Sequence, residues 1–276
     1  MTSAVPLEAL CDLLRRAAKA EIMPRFRNLG EGQVRAKSEA SDLVTEADES
    51  AERFMRGEIG DIVPGALFIG EESVAADAAL LGRLKDAETA IIVDPVDGTY
   101  NFAAGVPLFG VMLSMVRNGE TVAGIIYDPV GDDWFVAEKG AGAFRITPDG
   151  SRSRLAVAEP LPLEQMVGTA SIGFLFGNQR AQVLSNLARA RSFFNYRCAA
   201  HEYRVLSAGV TQFTIYNKLM PWDHLAGVLI HQEAGGYAAK FDGSPYLPTD
   251  TDGGLIAAVD KESWKLILKE IIERGA

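Results

Sequence analysis

The sequence predicts a mixed α/β protein, α+β in its first half and layered α/β in its second, and three observations carry that reading. Two short apolar runs of buried-strand type, residues 66–69 and 90–93, each end in carboxylates. The turn Arg117-Asn118-Gly119-Glu120 joins two longer apolar runs into a hairpin signal, because Asn-Gly readily takes the positive φ values of a type I′ turn. Beyond Gly150 strand-like and helix-like segments alternate. The polar stretch Thr147-Pro148-Asp149-Gly150 separates an N-terminal half, residues 1–150, from a C-terminal half, residues 151–276, and the two can count as one structural domain. No repeat or flexible linker interrupts either.

The elements follow in order. Leu7, Leu10, Leu13, Leu14, Ala17, Ala18 and Ile22 recur at helical spacing and predict an amphipathic helix over residues 5–29, with Pro6 suited to its first turn and Cys11 and Met23 as core residues. After a polar stretch, Thr45 and Asp48 form a capping pattern for a helix running to about Ile59. The strand at 66–69 stops at Gly70-Glu71-Glu72-Ser73, and the strand at 90–93 stops at Asp94-Pro95. The hairpin pairs residues 109–116 with 121–127, and 134–137 and 143–146 add two strands, so the first half carries a substantial antiparallel sheet. In the second half 166–170, 192–196, 211–216 and 255–259 read as strands, and 178–190, 203–208, 222–234 and 263–273 as helices. Gly235-Gly236 supplies a left-handed end to the penultimate helix.

Composition narrows the function. The chain has 276 residues, 48% hydrophobic and 23% charged, which supports a full core. A net charge of −10 argues against a broad electrostatic footprint for nucleic acid or an anionic membrane. The two cysteines, Cys11 and Cys198, are far apart and form neither a disulfide framework nor a zinc pattern. No basic, apolar leader opens the sequence, and no apolar run approaches the ~18 residues of a membrane span. The expectation is a soluble, cytoplasmic protein.

The chemistry concentrates in Asp94-Pro95-Val96-Asp97-Gly98-Thr99, directly after a buried strand. Two acids three residues apart around a proline suit a turn that aims oxygen ligands at one point, with the Val96 carbonyl as a further donor. Amides and the Thr99 hydroxyl beyond Gly98 would hold a phosphate beside the cations. An acidic turn with Asp97 capping the next helix would give the same spacing. Glu71 has the same placement at the end of another strand, and neighbouring parallel strands could bring it beside Asp94, although adjacent acids on a solvated turn read the same way. Asp48 and Asp42 could join the cluster, and Asp223 in Pro221-Trp222-Asp223-His224 is either another ligand or a first-turn acid of its helix. His201, His224 and His231 show no nucleophile-base or zinc pattern. Such a cluster supports hydrolysis of a phosphate ester with two or more Mg²⁺ ions, hard cations that prefer oxygen ligands, activate water and stabilise the departing oxygen.

Gly70-Glu71-Glu72-Ser73, the run from Asp94 to Phe102, and Trp222-Asp223-His224-Leu225-Ala226-Gly227 resemble the three signature motifs of the inositol monophosphatase family, and Asp42-Leu43-Val44-Thr45 with Asp48 matches an upstream element. The order and spacing are the family's over nearly the whole chain. The resemblance implies a layered αβαβα sandwich like that of fructose-1,6-bisphosphatase, a homodimer, and a lithium-sensitive, Mg²⁺-dependent phosphomonoesterase using two or three ions. It implies that Glu71, Asp94, the Val96 carbonyl, Asp97 and Asp223 bind Mg²⁺. Glu71 and Thr99 would position the attacking water, Asp48 would support Thr99, and the Gly98 and Thr99 amides would bind phosphate, with Asp223 also on the substrate side. The partner is then a small phosphorylated substrate, with neither membrane nor direct nucleic acid contact.

The second half departs from the inositol-specific pattern. Where the family has a glutamate shortly before Trp-Asp, this chain reads Tyr216-Asn217-Lys218, and where it has small residues after Arg197, this chain has Ala200-His201-Glu202-Tyr203. His201, Glu202 and Asn217 are therefore candidate substrate-side residues, with packing between helices as the alternative. Histidinol phosphate and fructose 1,6-bisphosphate stand beside inositol monophosphate as substrates. A 3′-phosphoadenosine phosphate is disfavoured, since relatives acting on it tend to carry lysine where Tyr100 stands. Some bacterial members of the family bind transcription machinery, which makes a regulatory partner the reading from another class.

Overall fold

The structure is a computed structural model and describes residues 4–30, 32–36, 43–173, 175 and 177–275. Helix α1 (Leu7–Ala17) runs on into a π-helical turn at Ala18–Ile22, so the helix ends earlier than its apolar periodicity suggests, and Pro6 sits at its N-cap. A short strand β1 (Val34–Ala36) pairs with β2 (Leu43–Thr45), which leads into α2 (Glu46–Ile62). Strand β3 (Leu67–Gly70) passes into α3 (Glu71–Ala76), and α4 (Ala79–Gly82) precedes β4 (Thr89–Asp97) and the short α5 (Thr99–Ala103). Strands β5 (Gly110–Arg117), β6 (Glu120–Asp128), β7 (Asp133–Glu138), β8 (Gly142–Ile146) and β9 (Arg152–Arg154) complete a seven-stranded sheet in sequence order from β3 to β9. Its first pair is parallel and the rest antiparallel. The sheet continues past residue 150, because β9 pairs with β8.

The second sheet has five strands. Strand β10 (Val167–Ser171) is followed by α6 (Gly177–Leu187), β11 (Ser192–Phe194), α7 (Ala199–Ser207), β12 (Phe213–Tyr216), α8 (Pro221–Glu233), β13 (Tyr237–Lys240), β14 (Leu255–Ala258) and α9 (Lys261–Ile267). The order is β11-β10-β12-β14-β13, parallel up to β12 and antiparallel beyond.

Three apolar cores stack these sheets. Helices α1 and α2 bury Leu10, Leu14, Ala51 and Met55 against one face of the large sheet, with Ile91, Val93, Val111 and Ile125. The other face meets α7 and α8 through Ile92, Met112, Ile126, Tyr203, Leu225 and Leu229, and the five-stranded sheet contributes Leu255 and Ala257 to the same core. Val183, Leu187, Trp264 and Ile267 from α6 and α9 cover that sheet's far side with Phe213 and Ile256. The layers run helix, sheet, helix, sheet, helix, which is the expected αβαβα sandwich. Among the described residues no helix is long and apolar enough to cross a membrane.

Two local devices place the site. The hairpin between β5 and β6 turns on Asn118 and Gly119 at φ 48° and 76°, as the Asn-Gly pair predicts. Strand β4 does not stop at Asp94 but carries on to Asp97 through a bulge: Asp94 pairs with Met112 and Asp97 with Gly110, so β4 holds one residue more than β5. In a regular strand residues 94 and 97 would face opposite sides; the extra residue brings both carboxylates to one side. Pro95 sits where a missing N–H is tolerated.

Candidate active site

The parallel register Gly70↔Val93 sets the start of α3 beside the bulge of β4, so Glu71 follows the end of β3 next to Asp94 on β4. Asp223 enters from the first turn of α8, whose N-cap is Met220. One carboxylate oxygen each from Asp94, Asp97 and Asp223 lies within 4.8 Å of the others. Glu71 stands close enough for its charge to raise the pKa of all three.

This geometry is electrostatically costly without a cation. Burial, followed by the charges of Glu71 and Asp97, drives Asp94 well above the carboxylate range, and burial followed by Glu71 does the same to Asp223. Burial lifts Asp97 to about 6 even though the Ala200 and Ala199 N–H groups and the Cys198 thiol oppose the shift. A hard divalent cation fits this set: four acids converge, their oxygens are the ligands such ions prefer, and its charge removes the repulsion that raises their pKa values.

Asp97 is held from one side. Its Oδ2 accepts the Ala200 N–H at 2.5 Å and the Cys198 thiol at 3.1 Å. Gly98 follows at φ 89°, and a Cβ there would lie 3.0 Å from the Leu108 carbonyl and 3.1 Å from Cys198 Cβ, so only glycine makes this turn into α5. Thr99 Oγ1 then lies 3.0 Å from both Asp48 Oδ1 and the Val96 carbonyl oxygen, and its single proton serves one of them at a time.

Asp48 has two tasks. Its Oδ2 accepts the Thr45 N–H at 2.9 Å and the Thr45 hydroxyl at 2.5 Å, closing the capping box of α2, while Oδ1 faces Thr99. Burial raises its pKa to about 6 against the opposing Thr45 hydrogen bond. Asp42 lies outside the described residues.

The three substrate-side candidates are placed differently. His201 turns Nε2 to the Phe109 carbonyl at 3.1 Å and senses the charges of Asp128, Arg204 and Asp133 rather than the acidic cluster. Glu202 is buried at 1% exposure, with Oε1 accepting the Tyr196 N–H at 2.9 Å, so it packs inside the fold, and burial raises its pKa to about 8. Asn217 is half-buried, and its Oδ1 is a buried acceptor without a donor among the described residues. His224, bonded to the Lys218 carbonyl and Tyr203 hydroxyl, and His231, bonded to the Ala258 carbonyl, are buried structural groups lowered to about 4 by desolvation.

Sequence reasoning missed Glu52. This 4% exposed residue of α2 reaches across to α3, where its carboxylate accepts the Glu72 N–H at 2.8 Å, the Ser73 N–H at 3.1 Å and the Ser73 hydroxyl, backed by Arg56 at 3.0 Å. It thereby fixes the helical turn that carries Glu71. Gly70 is small for the same reason, since a side chain there would collide with the Glu52 carboxylate. The only sequence signal was an acid on the buried face of a helix.

The model of the inositol monophosphatase family matches residues 5–274. The inositol-1-monophosphatase of Mesorhizobium japonicum is 31% identical over 270 residues, covering 95% of this chain and 96% of that protein. The Nus factor SuhB of Vibrio cholerae is 30% identical over 272 residues, with 95% of each chain covered. Among solved structures, an IMPase of Thermotoga maritima superposes with a TM-score of 0.80 at 28% identity, covering 97% of this chain and 98% of its own.

Proposed function

This chain belongs to the inositol monophosphatase family and is a phosphoric monoester hydrolase, and from that premise we propose that it is a Mg²⁺-dependent enzyme acting on inositol monophosphate or a related small sugar or alcohol phosphate. The observation that carries the reading is the convergence of Asp94, Asp97 and Asp223 within 4.8 Å, with Glu71 acting on all of them. Asp94, Asp97, Asp223, Glu71 and the Val96 carbonyl would hold the metal, as two or three ions. When bound, the cations supply Lewis acidity, making water a better nucleophile and neutralising charge on the ester oxygen.

The chain's own groups do the rest. Asp48 holds the Thr99 hydroxyl at 3.0 Å, so Thr99 can orient the attacking water while passing its proton toward Asp48 Oδ1. Beyond the turn through Gly98, the amides of Gly98 and Thr99 would bind the phosphate. Cys198 and Ala200 keep one Asp97 oxygen engaged, leaving its other oxygen for the metal. Lithium sensitivity, a homodimer and a cytoplasmic location belong to the same reading.

The test is phosphate release from inositol 1-phosphate, histidinol phosphate, fructose 1,6-bisphosphate and 3′-phosphoadenosine 5′-phosphate, with and without Mg²⁺. Mg²⁺-dependent turnover supports the reading, and turnover untouched by chelation sinks the metal assignment. Similarity to a Nus factor along 95% of the chain favours a second role as a partner of transcription machinery. A pull-down from cell extract that recovers no polymerase or ribosomal component would count against it.

A further inference from the structure

Two exposed side chains flank the site and take no part in the account above. Tyr100 follows Thr99 on α5 and is 41% exposed. Arg197 precedes Cys198, and its guanidinium carbon stands 3.6 Å from the centre of the Tyr100 ring. That distance is a face-on cation–π stack. No carboxylate among the described residues pairs with Arg197, so the edge of its planar fork, with up to five N–H donors, is left to solvent.

The backbone is built to hold it there. Arg197 adopts φ 52°, a left-handed conformation that arginine seldom takes. Asn195 Oδ1 accepts the Arg197 N–H at 2.6 Å. One residue earlier, the Tyr196 carbonyl accepts Asn101 Nδ2 at 2.7 Å and the Tyr196 N–H donates to Glu202 at 2.9 Å. One residue later, Cys198 contacts Asp97 and closes the space beside Gly98. The stack therefore lies where the turn of residues 97–99 meets the loop of residues 195–200, one position from Thr99 on one strand of chain and one position from the Asp97 donor on the other.

We propose that Arg197, stacked on Tyr100, forms an anion subsite at the mouth of the site and selects phosphate esters whose alcohol carries a second negative group, a phosphate or a carboxylate. The stack fixes the plane of the guanidinium and leaves its edge open, which is the geometry for a two-pronged hydrogen bond to either anion. The inference rests on the phosphatase reading and names its substrate class.

The experiment compares inositol 1-phosphate, 3-phosphoglycerate and fructose 1,6-bisphosphate in the wild type and in Arg197→Ala, Arg197→Lys and Tyr100→Ala. Loss of the two-pronged, charge-assisted contact predicts that the preference for a doubly anionic ester over inositol 1-phosphate falls by at least about tenfold in Arg197→Ala, in KM and not in kcat. Arg197→Lys recovers part of the loss, and Tyr100→Ala shows a smaller fall in the same direction. If the wild type releases phosphate from none of the esters, the phosphatase reading fails, and the same preference is then read as a ratio of dissociation constants by calorimetry on the unreacted esters. Arg197→Ala altering all three esters by one common factor, or altering none, overturns the subsite. Carboxylate and phosphate are told apart by which of the two doubly anionic esters carries the effect.

Discussion

Replacing Glu52 tests whether the geometry of the metal cluster is set from outside the cluster. The carboxylate accepts two backbone N–H groups of α3 at 2.8 and 3.1 Å and is 4% exposed, so Glu52→Ala leaves both donors without their protein acceptor. Hydrogen bonds to a charged group contribute about 1.5–3 kcal/mol each, which places the loss at roughly 3–6 kcal/mol for the pair. Glu52→Gln removes the charge and sets an amide NH₂ against one of those donors, so it recovers only part of that. The turn that relaxes is the one bearing Glu71, and misplacing a reacting group by about 1 Å costs about a hundredfold in rate. The assay is phosphate release at a series of Mg²⁺ concentrations, read beside the melting temperature. The expected result is a higher Mg²⁺ requirement together with about a hundredfold lower kcat/KM, and Gly70→Ala reproduces both because its methyl group displaces the same carboxylate. Loss of melting temperature with an unaltered Mg²⁺ requirement would show that Glu52 only holds the fold, and the reasoning would be wrong.

Other outcomes follow from the same site. Asp94→Asn removes one of four mutually repelling acids, so turnover falls at least ~100-fold while the metal-free melting temperature is kept or raised; retained turnover contradicts the ligand assignment. The folded protein keeps protons on Asp48 and Asp97 up to about pH 6, whereas the unfolded chain releases them near 3.8. Folding thus takes up protons, and the metal-free melting temperature should fall as pH rises through that window. Added Mg²⁺ should restore most at high pH, and a metal-free protein that becomes more stable from pH 4 to 7 would refute the burial of those charges. Cys198→Ala removes a donor to Asp97 and should weaken Mg²⁺ binding by calorimetry about tenfold, with Cys198→Ser restoring it; equal affinities in both variants would deny the thiol a role.

Much of this was legible in the residues, and the remainder has identifiable physical causes. Thr45 with Asp48, Asn118-Gly119 and the apolar strands are local signals, and each became the predicted cap, turn or sheet. Glu71, Asp94, Asp97 and Asp223 could be singled out because each follows a buried run or opens an apolar helix. The bulge in β4 was not legible, since the pairing that creates it lies in β5. Strands β1 and β9 are fully exposed three-residue pieces without alternation, and β13 follows a glycine pair too closely to show a pattern. Glu202 stands where the family has small residues, which makes it a substrate-side candidate with packing as the alternative; its burial depends on the Tyr196 N–H, contributed by a loop whose path no local pattern reveals.

The separation of the acids along the chain has a consequence for synthesis. Asp48, Glu71, Asp94 and Asp97 emerge early from a ribosome, whereas Asp223 waits on α8, the helix packed between the two sheets. A nascent chain that has completed the large sheet holds most of the ligands but lacks the one that closes the cluster. The acidic cluster is therefore complete only once the middle layer has docked on the large sheet.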